Sequence, residues 1–296
     1  MGQLDGRVAI VTGGARGIGA GISRLLVGEG AAVVVCDLGS GTDGAGADAG
    51  PAQAMAEELT AAGARAVGDG GDVADTATGE RLVKTAVERF GKLDIVVNAA
   101  GILRDRMIFN MSEADWDAVI RVHLKGHFST VRPASAYWRE QRNPGGHYRI
   151  INFTSLSALH GSPGQPNYSA AKLGVVGLTY SLAQGLARYG VTANAISPIA
   201  ATRLTATVQP NSPDVPAPDD IAPLAAYLAS ERSDWLSGRV LSAQGTSIGL
   251  WSNPQEIAGI DRETAWDQDA LADAIEDKFR PVADGLPYSV FSATRG

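Results

Sequence analysis

Cysteine is almost missing from this chain, since Cys36 is the only one among 296 residues. An intrachain disulfide and a cysteine-rich metal site are therefore excluded. Among His127, His147 and His160 we find no H-x-x-x-H or carboxylate spacing that would suggest metal ligands, so we expect no metal. Basic residues are outnumbered, with 25 Lys and Arg against 32 Asp and Glu, and the net charge is −7. This balance argues against nonspecific binding to nucleic acids or to anionic membranes.

Long apolar runs are also missing. No stretch of the sequence approaches the ~18 apolar residues of a membrane span. The first residues lack the basic and apolar regions of a secretory signal, and the last residues match neither an endoplasmic-reticulum nor a peroxisomal signal. We therefore expect a cytoplasmic protein.

Short apolar runs alternate with longer amphipathic patterns from the first residues onward. The alternation is typical of a parallel sheet with crossover helices, and strands without polar alternation predict helices on both faces. We predict a Rossmann-type α/β fold over residues 1–250, with a doubly wound parallel sheet of seven strands. The predicted strands are 7–12, 31–37, 64–68, 93–98, 148–154, 192–197 and 238–243, and later helices lie near 52–62, 76–90, 113–141, 167–189 and 219–230.

Three segments depart from this alternation. Residues 39–50 are rich in Gly and Asp, and they predict an exposed, flexible loop insertion after the second strand. Residues 210–218 are too rich in Pro for a helix and fit either a mobile lid or a plain surface linker. Residues 251–296 predict a C-terminal helical extension with one apolar face, which docks on the body or on a neighbouring subunit. That face consists of Leu271, Ile275 and Phe279.

A glycine-rich turn follows the first predicted strand and leads directly into a helix. Backbone N–H groups and the helix dipole can face a pyrophosphate at such a turn, where side chains would block the approach. The spacing differs from the G-x-G-x-x-G of two-domain dehydrogenases. The candidate cofactor-binding residues of the turn are Gly13, Arg16, Gly17, Ile18 and Gly19.

Asp37, at the end of the second predicted strand, indicates which dinucleotide binds. A carboxylate about 20 residues after the turn glycines meets the adenosine ribose hydroxyls of NAD and repels the extra phosphate of NADP. Arg16 favours the opposite choice, because a guanidinium beside the turn could neutralise that phosphate. We predict NAD rather than NADP, with Arg16 pointing to solvent. Further candidate cofactor contacts, at the ends of the third and fourth strands, are Asp72, Val73, Asn98, Ala99 and Gly101.

Tyr168 and Lys172 are four residues apart on a predicted helix, so they share one helix face. A nearby ammonium stabilises a tyrosinate, and we expect it to lower the phenol pKa from ~10 toward neutrality, which creates an acid/base. Ser155, at the end of the fifth strand, offers a hydroxyl to a substrate oxygen, and Ser157 is the neighbouring alternative. Taken alone, the Tyr-x-x-x-Lys pattern is common on surface helices. Its weight comes from the motifs that accompany it.

The order of these motifs resembles the short-chain dehydrogenase/reductase family, over roughly residues 4–250. A closer likeness is to the (3R)-hydroxyacyl-CoA dehydrogenase modules of type 2 peroxisomal multifunctional enzymes, grouped with type 4 hydroxysteroid dehydrogenases. His123 replaces the usual helix asparagine, and Pro198 is followed by Ile199 in place of the usual glycine. The segments that carry this closer likeness are 33–41, 99–106, 115–128 and 164–174.

The resemblance implies a role for each motif. Tyr168 would exchange a proton with the reacting hydroxyl or carbonyl, while Lys172 would hold the nicotinamide ribose and lower the Tyr168 pKa. Ser155 would position the substrate oxygen, and Pro198 would contact the cofactor. His123 is either a relay group or a buried, hydrogen-bonded core histidine. The family also implies a homodimer or homotetramer.

Three functional hypotheses follow. The first is an NAD-dependent oxidoreductase that transfers hydride between the nicotinamide and a (3R)-3-hydroxyacyl-CoA with a fatty acyl or steroid side chain. The second is an NADPH-dependent 3-oxoacyl reductase, favoured by Arg16 and disfavoured by Asp37. The third is a non-catalytic dinucleotide-binding regulator, which has no need of Ser155, Tyr168 and Lys172 together.

Overall fold

The computed structural model describes residues 2–143, 145–201 and 216–291. Its strands are β1 (Val8–Thr12), β2 (Ala32–Cys36), β3 (Ala66–Asp69), β4 (Ile95–Asn98), β5 (Tyr148–Phe153), β6 (Val191–Ile199), β7 (Arg239–Gln244) and β8 (Ser247–Leu250). They form one sheet in the order β3-β2-β1-β4-β5-β6-β7-β8. The first seven run parallel, and β8 runs antiparallel to β7. The chain direction across the sheet therefore reverses between β1 and β4, as in a doubly wound fold.

Helices pack on both faces of this sheet. The helices of the described chain are α1 (Gly17–Gly28), α2 (Gly50–Ala61), α3 (Thr76–Phe90), α4 (Glu113–Ile120), α5 (Gly126–Gln141), α6 (Leu156–His160), α7 (Pro166–Leu186), α8 (Ala222–Ala229) and α9 (Gln268–Ala283). Among them, no helix is both long enough and apolar enough for a bilayer crossing.

Successive side chains of β1 enter two different cores, as the alternation of a strand requires. Ala9 and Val11 pack with side chains of α1, α2 and α8. Val8 and Ile10 pack on the opposite face with side chains of α3, α5 and α7. Burial on both faces explains why β1 and β2 are apolar at almost every position.

The predicted Rossmann-type fold with seven parallel strands and helices on both faces is confirmed. The sequence interpretation missed β8, which follows β7 after a two-residue turn. Gly245 in that turn has a φ of 53°, the left-handed backbone that short hairpin turns favour. Two of the four residues of β8, Ser247 and Gly249, have weak strand preferences, so the strand left little signal.

The extension after residue 250 contains the predicted helix, α9, which buries none of its residues within the described chain. Beyond α9 the chain returns to the body, where Ser289 Oγ donates to Gly161 O at 3.0 Å and Val290 N donates to His160 Nδ1 at 3.3 Å. Docking of the α9 face and a domain division at residue 250 stay predictions. Most of the Pro-rich segment, up to residue 215, lies outside the described residues.

Candidate active site

The carboxyl ends of the parallel strands open into a cleft of about 320 Å³. Open α/β sheets bind ligands at this edge, beside the reversal of strand order. The predicted residues Asn98, His123 and Lys172 are buried and do not line the cleft. The predicted residues that do line it are Gly13, Arg16, Gly17, Ile18, Gly19, Asp37, Asp72, Val73, Ala99, Gly101, Ser155, Tyr168 and Pro198.

Two glycines of the turn are required by close approach of the backbone. Gly13 has a φ of 63°, and a Cβ built on it would lie 2.8 Å from Ala100 Cα. A Cβ on Gly19 would lie 2.1 Å from Gly13 O. The turn is held from below by Ser23, whose Oγ donates to Gly14 O at 2.9 Å. The N-terminus of α1 is therefore bare backbone facing the cleft, which suits a pyrophosphate.

Asp37 is buried at the end of β2 and accepts three hydrogen bonds. Its Oδ1 accepts from Arg16 at 2.7 Å and from Gly39 N at 2.9 Å, while its Oδ2 accepts from Ala15 N at 3.3 Å. The expectation that Arg16 points to solvent is wrong, because its side chain is only 28% exposed and forms an ion pair with Asp37. A charge-assisted hydrogen bond outcompetes water for the guanidinium at this distance.

Asp72 and Asn98 occupy different surroundings, although both follow strand ends. Asp72 Oδ2 lies at the cleft, 2.7 Å from a guanidinium nitrogen of Arg121. The Asn98 amide instead donates to Asn152 Oδ1 at 3.0 Å, and its Oδ1 accepts from Thr130 Oγ1 at 2.6 Å. The structure thus uses the Asn98 side chain to join β4, β5 and α5 beneath the cleft.

Tyr168 and Ser155 meet at the cleft wall. Ser155 caps the N-terminus of α6, and its hydroxyl also hydrogen-bonds Tyr168 near the start of α7. Burial raises the pKa of Tyr168 to about 12; the hydrogen bond from Ser155 opposes the shift and the carboxyl of Asp105 adds to it. The expected shift toward neutrality is therefore wrong for the protein alone. Ser157 is turned away, because its Oγ donates to Gln165 Oε1 at 2.8 Å.

Lys172 lies beside the Tyr168 ring and is buried as well. Its Nζ donates to Phe153 O at 2.7 Å and lies 5.7 Å from the centroid of the Tyr168 ring. The side chain is buried, and burial lowers the pKa of Lys172 to about 7. Desolvation disfavours the charged form of both groups, so the lysine carries only part of its charge at neutral pH.

His123 lies in a π-helical turn, Arg121–Lys125, that separates α4 from α5. The ring is buried, its Nε2 is 2.7 Å from Ile102 O, and its edge meets the Tyr168 ring at 5.0 Å between centroids and 89°. Burial, with a contribution from Lys172, holds the pKa of His123 well below its ordinary value. The residue is thus a neutral, hydrogen-bonded core histidine in contact with Tyr168, and a relay role stays a prediction.

Sequence reasoning missed the polar residues that fix the start of α7. Asn167 Nδ2 donates to Arg104 O at 3.0 Å and to Asp115 O at 3.1 Å, and its Oδ1 accepts from Tyr168 N at 2.8 Å. Gln165 reaches Asp105 Oδ2 at 2.8 Å. Pro166 was the available signal, because proline favours the first helical position and marks its neighbours as first-turn residues.

Sequence reasoning also missed the contribution of the loop after β2 to the cleft. Most of residues 39–50 are exposed, as expected, but part of this loop also forms a wall of the cleft. Backbone hydrogen bonds hold the loop in shape, from Asp48 N to Leu38 O at 2.8 Å and from Gly41 N to Ala45 O at 2.8 Å. Composition alone did not show where the loop folds back. Its cleft-lining residues are Leu38, Ser40, Gly41, Thr42 and Gly44.

A family model described as short chain dehydrogenase matches residues 7–214. The chain belongs to this family. It is 42% identical to the hydroxyacyl-CoA dehydrogenase ChsB1 of Mycobacterium tuberculosis (strain ATCC 25618 / H37Rv), over 99% of this chain and 93% of that protein. It is 40% identical to a peroxisomal hydratase-dehydrogenase-epimerase of Neurospora crassa, over 83% of this chain but 27% of that protein. A crystal structure of a short chain dehydrogenase from Mycobacterium avium is 43% identical, covers 98% of this chain and 100% of its own, and has a TM-score of 0.87.

The family resemblance predicted from the motifs is therefore confirmed, including its likeness to hydroxyacyl-CoA dehydrogenases. The protein is an oxidoreductase that acts on a CH–OH group, and its fold implies a nicotinamide dinucleotide cofactor. The cleft fits that cofactor on its own geometry. Gly13 and Gly19 leave a bare backbone cradle, and Asp37 supplies a buried carboxylate at the next strand end.

Proposed function

We propose that the protein transfers hydride between NAD and the 3-position of a (3R)-3-hydroxyacyl-CoA whose acyl part is a fatty chain or a steroid side chain. The observation that carries this proposal is the convergence of Ser155 and Tyr168 on the cleft that also holds the glycine turn and Asp37. The hydroxyacyl-CoA dehydrogenase name of the relative at 42% identity supports the substrate class.

Each residue of the site has a task in this reaction. Ser155 Oγ donates a hydrogen bond to the substrate oxygen, and Tyr168 Oη takes the hydroxyl proton in oxidation or returns it in reduction. Lys172 Nζ, fixed by Phe153 O, would hold the nicotinamide ribose with its remaining N–H groups. His123 packs against the Tyr168 ring and keeps it oriented. When bound, the nicotinamide supplies the hydride acceptor or donor. Because burial raises the pKa of Tyr168 to about 12, the free protein keeps the proton on Oη at neutral pH.

A substrate panel tests the proposal. We expect NADH absorbance to rise when NAD is mixed with (3R)-3-hydroxyacyl-CoA thioesters of fatty or steroid acids, and to stay flat with the (3S) enantiomers. Free steroid alcohols serve as the comparison class. Turnover of the free alcohols alone would contradict the thioester assignment. Tight NADH binding with no turnover on any alcohol or ketone would revive the regulator hypothesis.

The cofactor preference is tested by Asp37→Ala. We expect kcat/KM for NAD to fall about tenfold, because the ribose hydroxyls lose a charged hydrogen-bond acceptor, and kcat/KM for NADP to rise as the repulsion of its phosphate is removed. Both values are measured with one alcohol substrate. The matched control is Asp69→Ala, which removes the acid at the end of the neighbouring strand β3 that pairs with Arg81. An unchanged preference in Asp37→Ala would contradict the assignment.

One observation favours the second candidate, an NADPH-dependent 3-oxoacyl reductase. The Arg16 guanidinium lies 2.7 Å from Asp37, at the strand end where a ribose phosphate would come. We favour NAD because the buried carboxylate also accepts from two backbone N–H groups that hold it in place. A wild-type enzyme that uses NADPH better than NADH would replace the first candidate with the second.

We also propose that the protein works as a homodimer or homotetramer. Phe128 on α5 is 46% exposed and Leu173 on α7 is 53% exposed, which leaves apolar surface on both helices of the single chain. Light scattering coupled to size-exclusion chromatography gives the mass directly, and a monomer would contradict the proposal.

A further inference from the structure

The loop after β2 crosses the cleft and is held from its far side. Leu103 N, in the segment that follows β4, donates to Thr42 O at 2.9 Å. The neighbouring Arg104 donates through Nε to Asp43 O at 2.7 Å. Thus two carbonyl groups of the loop are bound by donors from consecutive residues on the opposite wall.

Apolar packing also holds the loop against the segment that follows β4. Gly44 has a φ of 83°, and a Cβ built on it would lie 2.9 Å from Ile102 Cδ1. The loop backbone therefore rests directly on the Ile102 side chain. Since Leu38, Ser40 and Thr42 line the same cleft as Asp37, the closed loop encloses the end of the cleft assigned to adenosine.

Arg104 is itself anchored on the catalytic side of the cleft. A second guanidinium nitrogen donates to Ala114 O, just inside α4, at 3.4 Å. Its own carbonyl accepts from Asn167, which is fully buried and also binds the backbone N of Tyr168. The residue that holds the loop is thus fixed to the element that carries the acid/base.

We propose that Arg104 is a positioning residue that fastens the 38–49 loop over the adenosine half of the bound dinucleotide. The proposal rests on the dinucleotide site described under the proposed function. Arg104 acts through the loop, because its Nε is engaged by the loop carbonyl of Asp43. Loss of this bond frees the loop, so the dinucleotide binds more weakly and leaves faster.

The test compares Arg104→Ala with wild type and with Arg106→Ala in the full chain. Arg106 is the matched control, because this exposed arginine bonds only the carbonyl of its neighbour Asp105 among the described hydrogen bonds. Dissociation constants for NADH, ADP-ribose and reduced nicotinamide mononucleotide are measured by fluorescence or calorimetry, and the NADH off-rate by stopped flow. We expect Arg104→Ala to weaken the binding of NADH and ADP-ribose about five- to tenfold and to speed NADH release. The affinity for the mononucleotide should not change.

Gly44→Ala provides a second variant if Arg104→Ala is poorly folded, since its added methyl group separates the loop from Ile102 while both arginines remain. It should weaken the same two ligands. If Arg104→Ala bound NADH with wild-type affinity, or lost affinity for ADP-ribose and the mononucleotide equally, the positioning role of Arg104 would be overturned. The dinucleotide site itself would still stand. Absence of NADH binding in wild type would overturn both proposals. If Arg104→Ala selectively lost affinity for NADH and ADP-ribose, but the wild-type protein turned over no substrate, the positioning role of Arg104 would be supported and the proposed reaction contradicted.

Discussion

Tyr168→Phe should lower the turnover number about 10²- to 10⁴-fold while NADH affinity stays close to that of wild type. The variant keeps the ring that packs against His123 and Lys172, but it loses the only hydroxyl assigned to proton exchange. General acid–base catalysis is worth about that factor. Turnover is measured at saturating substrate and affinity by NADH fluorescence, and an unchanged turnover number would contradict the mechanism.

A control variant tests whether the loss of turnover is specific to Tyr168. Tyr180→Phe, on the same helix, should leave turnover unchanged because Tyr180 does not line the cleft.

In wild type, the phenolate fraction of Tyr168 grows with pH, since burial places its pKa near 12 in the free protein. Alcohol oxidation, which needs the phenolate, should therefore accelerate as pH rises above neutrality, by at most tenfold per pH unit, and ketone reduction should not. Tyr168→Phe should abolish this pH dependence.

Gly19→Ala should weaken NADH binding about 10- to 100-fold. The added Cβ would lie 2.1 Å from Gly13 O, a backbone atom of the turn that cannot move without displacing the pyrophosphate cradle. Forcing a methyl group into a filled space costs roughly 1–3 kcal/mol, and each 1.4 kcal/mol is about a factor of ten in affinity. Fluorescence titration with NADH gives the loss directly.

Gly28→Ala is the matched control for that variant, because Gly28 ends the same helix and a Cβ there meets nothing within 4 Å. It should bind NADH like wild type and gain up to about 1 kcal/mol of stability from the higher helix propensity of alanine. If both alanine variants bound NADH as wild type does, the glycine turn would not be the pyrophosphate site.

The places of several candidate site residues in the fold could be predicted from the sequence, because each of these residues belongs to a local pattern. The turn glycines and Asp37 each follow an apolar run that is predicted to be a strand, so they are placed at strand ends. The four-residue spacing of Tyr168 and Lys172 places both on one helix face. The same reasoning placed Ser155 at the fifth strand end, where the structure has it at the cleft.

Contacts between segments that are distant in the sequence could not be predicted from local patterns. The Arg16 to Asp37 ion pair and the hydrogen bonds of Asn167 depend on which loops meet in space. The Tyr168 pKa was predicted in the wrong direction because sequence spacing shows the neighbouring charge but not the burial that weakens it. Burial depends on the whole fold, so local patterns cannot supply it.

The π-helical turn at Arg121–Lys125 affects how the chain tolerates a change in length. Each residue of an α-helix turns the chain by about 100°, so removing one residue from α5 before Trp138 would rotate that buried side chain away from its present neighbours. A π-helical turn closes its hydrogen bond over one residue more than an α-helical turn, so one residue can be lost there while α5 keeps its orientation. Single-residue deletions within 121–125 that keep His123 should therefore be tolerated better than deletions within 126–137 in a scan of the whole sequence.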